Sequence, residues 1–543
     1  MATQQRITRD EHLDRGRAAS SSKAWAATVE HLMAADAEAP LELDDLERVG
    51  LAAHLIGRDD LAATIGMRGF NAGAAAGEID RAARAGFWTG MGYAFHGEMA
   101  QAGAWFGRTA ELIERSGRDS VMFGYLLLPM AIGQLDGRDG DAALITADQM
   151  AACAERFGDV DLATLATHCR GSALLILGER DRGIRLLDEA MVAVTTGEAS
   201  DSIAGMIYCA TIETLHAFFD IRRAQEWTAA LTEWCEAQPD VIFRGRCRVY
   251  RAELMRFHGD WSTAAEEAGR ALIVLAGPPI SPAIGEAHYE EAELYRLRGL
   301  FAEADRAYAE GSQYGRRPEP GLALLRLAQG RAAAAQAVIS RALEEDPDNP
   351  RLLEAAVTVA LARNNVGEAR AAVERMKRSA GSSVPALLAA ITAGAEGEVL
   401  LAEGDIATSL RTLRSAWDGW QQLDAPFEAA RVRIAIARAC RALGDAETAA
   451  LEASAARRVF EELGAGPALA ELERLAGEPT HGLSRREHEV LRHLAAGRTN
   501  REIAETLGIS ERTVDRHVSN LFTKLDVSTR AAATAWAYEH GVA

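Results

Sequence analysis

Apolar residues return at helical rather than strand spacing along this chain. The sharpest case is Val514, Val518, Leu521 and Leu525, at i, i+4, i+7 and i+11, which form one narrow apolar stripe on a helix. The other side of that helix carries Arg512, Arg516, Ser519, Asn520 and Thr523. Just upstream, Thr499 with Glu502 matches the S/T-x-x-E capping box, and Gly508 stands where a helix leaves through a left-handed residue, with Ile509 packing back beneath it. Ser510 can cap the following helix at the Thr513 N–H. Residues 499–518 therefore predict a helix, a tight turn and a second helix. Ser484 to Glu487 is a further capping box, opening a helix with Val490, Leu491, Leu494 and Ala495 inward and Gly497 as its stop. After Leu525, residues 526–529 make a turn into an Ala-rich helix that runs to His540.

The outer face of the 511–525 helix is polar, mixed in hydrogen-bonding type and partly cationic, which suits the major groove of DNA better than plain solvation. LSRREHEVLRHLAAGRTNREIAETLGISERTVDRHVSNLFTKLDVSTRAAATAWA resembles the LuxR/GerE-type DNA-binding domain almost position by position. The resemblance implies a four-helix module whose third helix enters the major groove and whose last helix, 529–540, pairs two copies on a near-palindromic site. Carried over residue by residue, it puts base reading at Asp515, Arg516 and Ser519. It puts backbone contacts at Thr499, Asn500, Thr513 and Lys524, with Arg512, Asn520 and Thr523 also facing the groove. Asp515 departs from the lysine common in relatives: a carboxylate accepts from a cytosine amino group but is repelled by phosphate. Arg516 has the fork that reads guanine.

From about residue 25 to 477 the chain repeats. A helix-ending glycine, a polar turn and an Ala-rich helix recur at Gly57, Gly97, Gly137, Gly178, Gly259, Gly299, Gly330, Gly404 and Gly444. Asp220 and Asn364-Asn365 take the glycine's place where it is missing. Each unit of two helices has an apolar face it cannot bury alone, so the units must stack into an α-solenoid. The region resembles the tetratricopeptide-like part of large LuxR-type regulators, notably over GEAHYEEAELYRLRG (285–299) and PEPGLALLRLAQG (318–330). The expected fold is all-α: a flexible tail over 1–23, a tetratricopeptide-like solenoid over 24–477, a linker over 478–482 and a LuxR-type helix-turn-helix domain over 483–543. GPPISP (277–282) and RRPEPG (316–321) break the helices and are expected to bend the superhelix, with their two sides as candidate subdomains.

Composition sharpens this picture. The net charge is −20, yet from Gly482 onward nine Lys/Arg face eight Asp/Glu, so the acidity lies upstream and the DNA module is close to neutral. One copy of such a head should bind weakly, which makes pairing physically necessary. Six cysteines without C-x-x-C spacing, mostly among apolar helical residues, read as buried thiols in a reducing compartment. With no signal-like leader and no run of 18 apolar residues, the expectation is a cytoplasmic protein without membrane contact. The three lysines, Lys23, Lys377 and Lys524, follow no phosphate-binding glycine loop, so the ATPase domain usual in large LuxR regulators is not expected. His488, Glu489 and His493 miss the H-E-x-x-H spacing and read as helix-surface residues. Neither a cofactor nor a metal is expected, and the chain reads as a non-enzyme.

One cluster in the solenoid has effector chemistry. Arg244, Arg246, Arg248 and Tyr250, near Phe243 and Arg251, would hold an anion between guanidinium and ring faces. The bland reading, which is favoured, pairs these arginines with carboxylates such as Glu253, Glu266 and Glu267 and puts Trp227 and Trp234 in the core. The expected function is a dimeric, sequence-specific transcriptional regulator whose repeats sense a small molecule or a protein, with RNA polymerase left open as a partner. The alternative is a protein-binding scaffold that inhibits another regulator, with DNA binding secondary.

Overall fold

A computed structural model describes residues 7–238, 240–277, 281, 283–379, 384–476, 483, 485–539 and 542. Every regular element among them is a helix. The chain divides into two compact units, Met1–Gly466 and Pro467–Ala543, a boundary ahead of the expected 478–482 linker, which itself lies outside the described residues.

The larger unit is a run of antiparallel helix pairs joined by short turns that the local sequence dictates. At Gly259, Gly404 and Gly444 the glycine takes φ near +85°, which only glycine adopts without strain. The aspartate that follows each one, Asp260, Asp405 or Asp445, caps the next helix by accepting the N–H of Thr263, Thr408 or Thr448. Asn364 supplies the left-handed residue in its own turn. Gly137 does not: its φ is −73° and Arg138 beside it turns left-handed instead. At the weak repeat before Asp220 the left-handed residue is Phe219.

Within the expected tail over 1–23, residues 1–6 lie outside the described residues and the rest is largely helical. Arg9–Ser21 is a helix with a complete Thr8–Glu11 capping box, and it buries Leu13 and Gly16. Gly16 lets it lie close to Leu32, since a Cβ there would stand 2.6 Å from that side chain.

Two apolar cores organise the repeats. One gathers Trp25, Phe87, Tyr125, Leu162, Ile207 and Tyr250, and the other Ile221, Leu353, Leu413, Trp420 and Ile436. They meet over residues 219–254, ahead of both proline-rich breaks. The second core draws on residues from both sides of those breaks, and both breaks lie within the one unit Met1–Gly466. Distant repeats also meet directly: the Ile242 N–H donates to the Leu55 carbonyl at 2.8 Å and Trp25 Nε1 donates to Gln238 Oε1 at 2.8 Å. Further along, His258 Nδ1 lies 3.0 Å from the Asp424 carbonyl and Trp261 packs on Phe427 with ring centroids 5.3 Å apart. Pro278, Pro279, Ile280 and Pro282 of the first break lie outside the described residues. Cys169, Cys209, Cys235, Cys247 and Cys440 are buried free thiols, and Cys153 is half-buried.

Candidate nucleic-acid interface

The smaller unit contains helices Arg485–Ala495, Asn500–Leu507, Glu511–Lys524 and Arg530–Glu539 around Leu483, Val490, Leu491, Leu494, Ile503, Val514, Leu521, Ala533 and Ala537. The Thr499–Glu502 capping box is complete, and its hydrogen bonds hold the Glu502 carboxyl below the ordinary range. Gly508 closes the short helix at φ +65°, and the Ile509 N–H returns to the Ala504 carbonyl at 3.1 Å. Ser510 Oγ accepts the Thr513 N–H at 3.2 Å and starts the next helix. Ser484 lies outside the described residues, as does His540.

On the Glu511–Lys524 helix Val514 and Leu521 are buried and Val518 half-buried, while Arg512, Asp515, Arg516, Ser519, Asn520, Thr523 and Lys524 are exposed. Arg512 and Arg516 form no ion pair or hydrogen bond with a described residue, so both guanidinium forks are free. Thr513, half-buried, faces the turn through the Ser510 hydroxyl at 2.7 Å, and Thr499 is spent on its cap.

The expected contact residues are tied together in ways their order does not show. Asn500 Nδ2 donates to Asp515 Oδ1 at 2.7 Å, and Arg530 Nη1 donates to Asn500 Oδ1 at 2.9 Å. Arg530 also donates to the Arg498 carbonyl. This relay joins the starts of the second and last helices to the exposed face of Glu511–Lys524 and holds the Asp515 carboxylate. Lys524 Nζ lies 2.7 Å from Glu487 Oε2, and the Glu487 side chain is 4% exposed. Lys524, expected to contact phosphate, thus also fastens its helix to Arg485–Ala495.

Sequence reasoning missed Arg530 and Glu487 as positioning residues. Glu487 was read only as a cap partner and Arg530 was not singled out; a basic residue opening an Ala-rich helix was the available signal. His488 is buried, not a surface residue. The Arg485–Ala495 helix packs against both Glu511–Lys524 and Arg530–Glu539, so a second face of it is covered.

The arginine cluster of the repeats does not form one anion cradle. Arg246 Nη1 lies 2.7 Å from Glu213, which also accepts from the Tyr250 hydroxyl at 3.0 Å. Arg248 Nη1 lies 2.7 Å from buried Glu267 and Arg251 3.8 Å from the same carboxylate. Successive helical positions send these side chains to different neighbours, and Trp227 and Trp234 pack on the core. Arg244 is likewise engaged.

A four-helix unit with a capped helix-turn-helix and an exposed, polar, cationic second helix is the architecture of a DNA-binding head. Residues 481–537 match the family described as bacterial regulatory proteins, luxR family, and residues 326–393 match the tetratricopeptide repeat. The chain therefore carries a LuxR-type DNA-binding domain of the transcription-regulator class behind tetratricopeptide-like repeats.

Among similar proteins, the uncharacterized transcriptional regulatory protein YhcZ of Bacillus subtilis (strain 168) is 46% identical over 65 residues, covering 12% of this chain and 30% of that one. Transcriptional regulatory protein LiaR of the same organism is 43% identical over 79 residues, 14% of this chain and 37% of its own. The chain thus spans only about a third of the length of the curated relatives it matches. The crystal structure of yeast Tom70 aligns over 87% of this chain and 97% of its own at 11% identity, with a TM-score of 0.31. Among the described residues no helix is long and apolar enough to cross a membrane.

Proposed function

We propose that the protein is a cytoplasmic, sequence-specific transcriptional regulator that binds double-stranded DNA as a dimer, its repeat region sensing a ligand or partner that controls engagement. The observation that carries this reading is the free Arg516 fork on the exposed face of the Glu511–Lys524 helix, in a domain of the luxR type. Arg516 reads a guanine bidentately, Asp515 and Ser519 read neighbouring bases, and Arg512, Asn520 and Thr523 face the groove. Thr499, Asn500 and Thr513 lie at the helix starts, where N–H groups and hydroxyls meet phosphates. Two copies pair through the last helix, where Tyr538 is 66% exposed. Paired heads make the second half-site an intramolecular contact, so a small change in the repeats alters affinity strongly.

The test is recovery of genomic fragments by purified full-length protein and by Arg516→Ala. A near-palindromic motif that loses one guanine preference in the variant, at about 1–3 kcal/mol for that base pair, supports direct reading. The same motif with the same preference in both proteins would refute Arg516 as the reader.

A further inference from the structure

A large open space, about 800 Å³, lies among the repeats between His54 and Ala283. The next pocket, lined by Leu413 and Trp420 among the later repeats, is about 40 Å³. An interior normally packs closely, so a space of the first size needs an explanation. The Ile242 N–H contact with the Leu55 carbonyl brings two distant repeats together beside it. The space has the size of a site for one small organic molecule.

The cavity wall is mostly apolar, including Leu128, Leu165, Cys169, Met206 and Ile207. Set into it are His168 and Ser172, one helical turn apart on Val160–Ile176 and so on one face. They are 7% and 5% exposed, and neither His168 Nε2 nor Ser172 Oγ makes a hydrogen bond of normal geometry. His54 Nε2, also in the wall, has none either. Buried polar atoms without partners are uncommon in native proteins, and three of those among the described residues lie in the wall of this one cavity.

The charges around them are largely accounted for. Arg246 is paired with Glu213, and His96 Nε2 lies 3.2 Å from Asp59. Asp136, Arg138 and Asp240 also belong to the lining and are exposed, with burial still raising the Asp136 carboxyl. Burial holds the His168 imidazole neutral, pushing its pKa down to about 4 against a smaller opposing effect of the Ala210 carbonyl. The groups left to meet a ligand in the interior are thus neutral donors and acceptors.

We propose that this cavity binds one uncharged, mainly apolar organic molecule bearing hydroxyl or carbonyl oxygens, which hydrogen-bond to His168 and Ser172 while the aliphatic wall covers its body. The proposal deepens the sensing half of the reading above and names its ligand class.

The test is a fluorescence titration of full-length protein with prodan, a neutral naphthyl ketone, and in parallel with the anionic dye anilinonaphthalene sulfonate. The expected result is one prodan per chain with blue-shifted emission, and at least tenfold weaker binding of the anion. Met206→Trp, which fills the cavity, should weaken prodan at least tenfold while the helical circular dichroism stays unchanged. If that variant does not fold, Ser172→Ala takes its place, with at least threefold weakening expected. Absence of saturable prodan binding, tighter binding of the sulfonate, or unchanged prodan affinity in the folded variant would each overturn the proposal. None of these readouts involves DNA, so failure here leaves the Arg516 test untouched, and the reverse holds too.

Discussion

His168 provides a quantitative handle on the repeat unit. Its imidazole is buried and its pKa lies near 4, against an ordinary 6.5. As pH falls through 6.5 the unfolded chain takes up a proton that the folded chain refuses until about pH 4. Stability is therefore lost across that window and is fully present above it. Between pH 8 and pH 5 the linkage amounts to about 2 kcal/mol for this one group. Wild-type protein alone conceals the effect, because Glu354 acts in the opposite sense. Burial and the neighbouring Glu428 push its carboxyl up to about 7, so its folded form gains stability as pH falls from 7 towards 4.5. The comparison that isolates His168 is a four-way one: wild type and His168→Gln, each unfolded in urea at pH 8 and pH 5 and followed by far-UV circular dichroism. Whatever the substitution costs at pH 8, it should cost about 2 kcal/mol less at pH 5. An equal cost at both pH values would show that His168 is protonated as easily in the folded chain as in water, and its burial in a neutral cavity wall would be refuted.

Two further perturbations test packing and the role of Lys524. In Gly183→Ala the new Cβ would stand 2.7 Å from the Gly171 carbonyl oxygen and 2.8 Å from Leu175 Cγ. A backbone atom cannot step aside as a side-chain tip can. An overpacking cost of about 1–3 kcal/mol should therefore outweigh the helix-propensity gain of about 0.5–1 kcal/mol, and a urea midpoint at or above wild type would show that these helices separate freely. Lys524→Met removes a partner of the buried Glu487 carboxylate. Since the lysine is 41% exposed, the cost to the DNA-binding unit should be about 1–2 kcal/mol. Its salt dependence of DNA binding should match wild type, and a slope reduced by about one would make Lys524 a phosphate contact instead.

The DNA-binding head was legible because its determinants are local. Thr499 finds Glu502 three residues on, Ser510 finds Thr513, and the Val514, Val518, Leu521 stripe lies on one helix. Where a residue serves two neighbours the sequence is silent: Asn500 looks like a helix start, and only the fold puts it between Asp515 and Arg530. The N-terminal helix failed for a similar reason. Leu13 is a lone apolar side chain in a polar run, and what holds it is Leu32 against the bare face of Gly16, which no periodicity within residues 1–23 reveals.

The cavity is the extreme case, because its wall draws on residues from His54 to Ala283. Those residues become neighbours only when the superhelix completes a turn and the Ile242 N–H reaches the Leu55 carbonyl. No motif spans such a distance. A trace was nonetheless present in LATLATHCRGSALLI, where His168 and Ser172 stand at i, i+4 in a helix rich in apolar residues. In a repeat helix buried among its neighbours, a polar pair on one face costs stability unless something meets it. The fold meets most such pairs with a protein partner: Glu267 has Arg248, Glu290 has Arg256 and Glu293 has Arg296. His168 Nε2 and Ser172 Oγ, buried in the wall of the cavity, have no such partner. That contrast, within one repeat region built by one set of rules, is why the wall around them reads as a binding site.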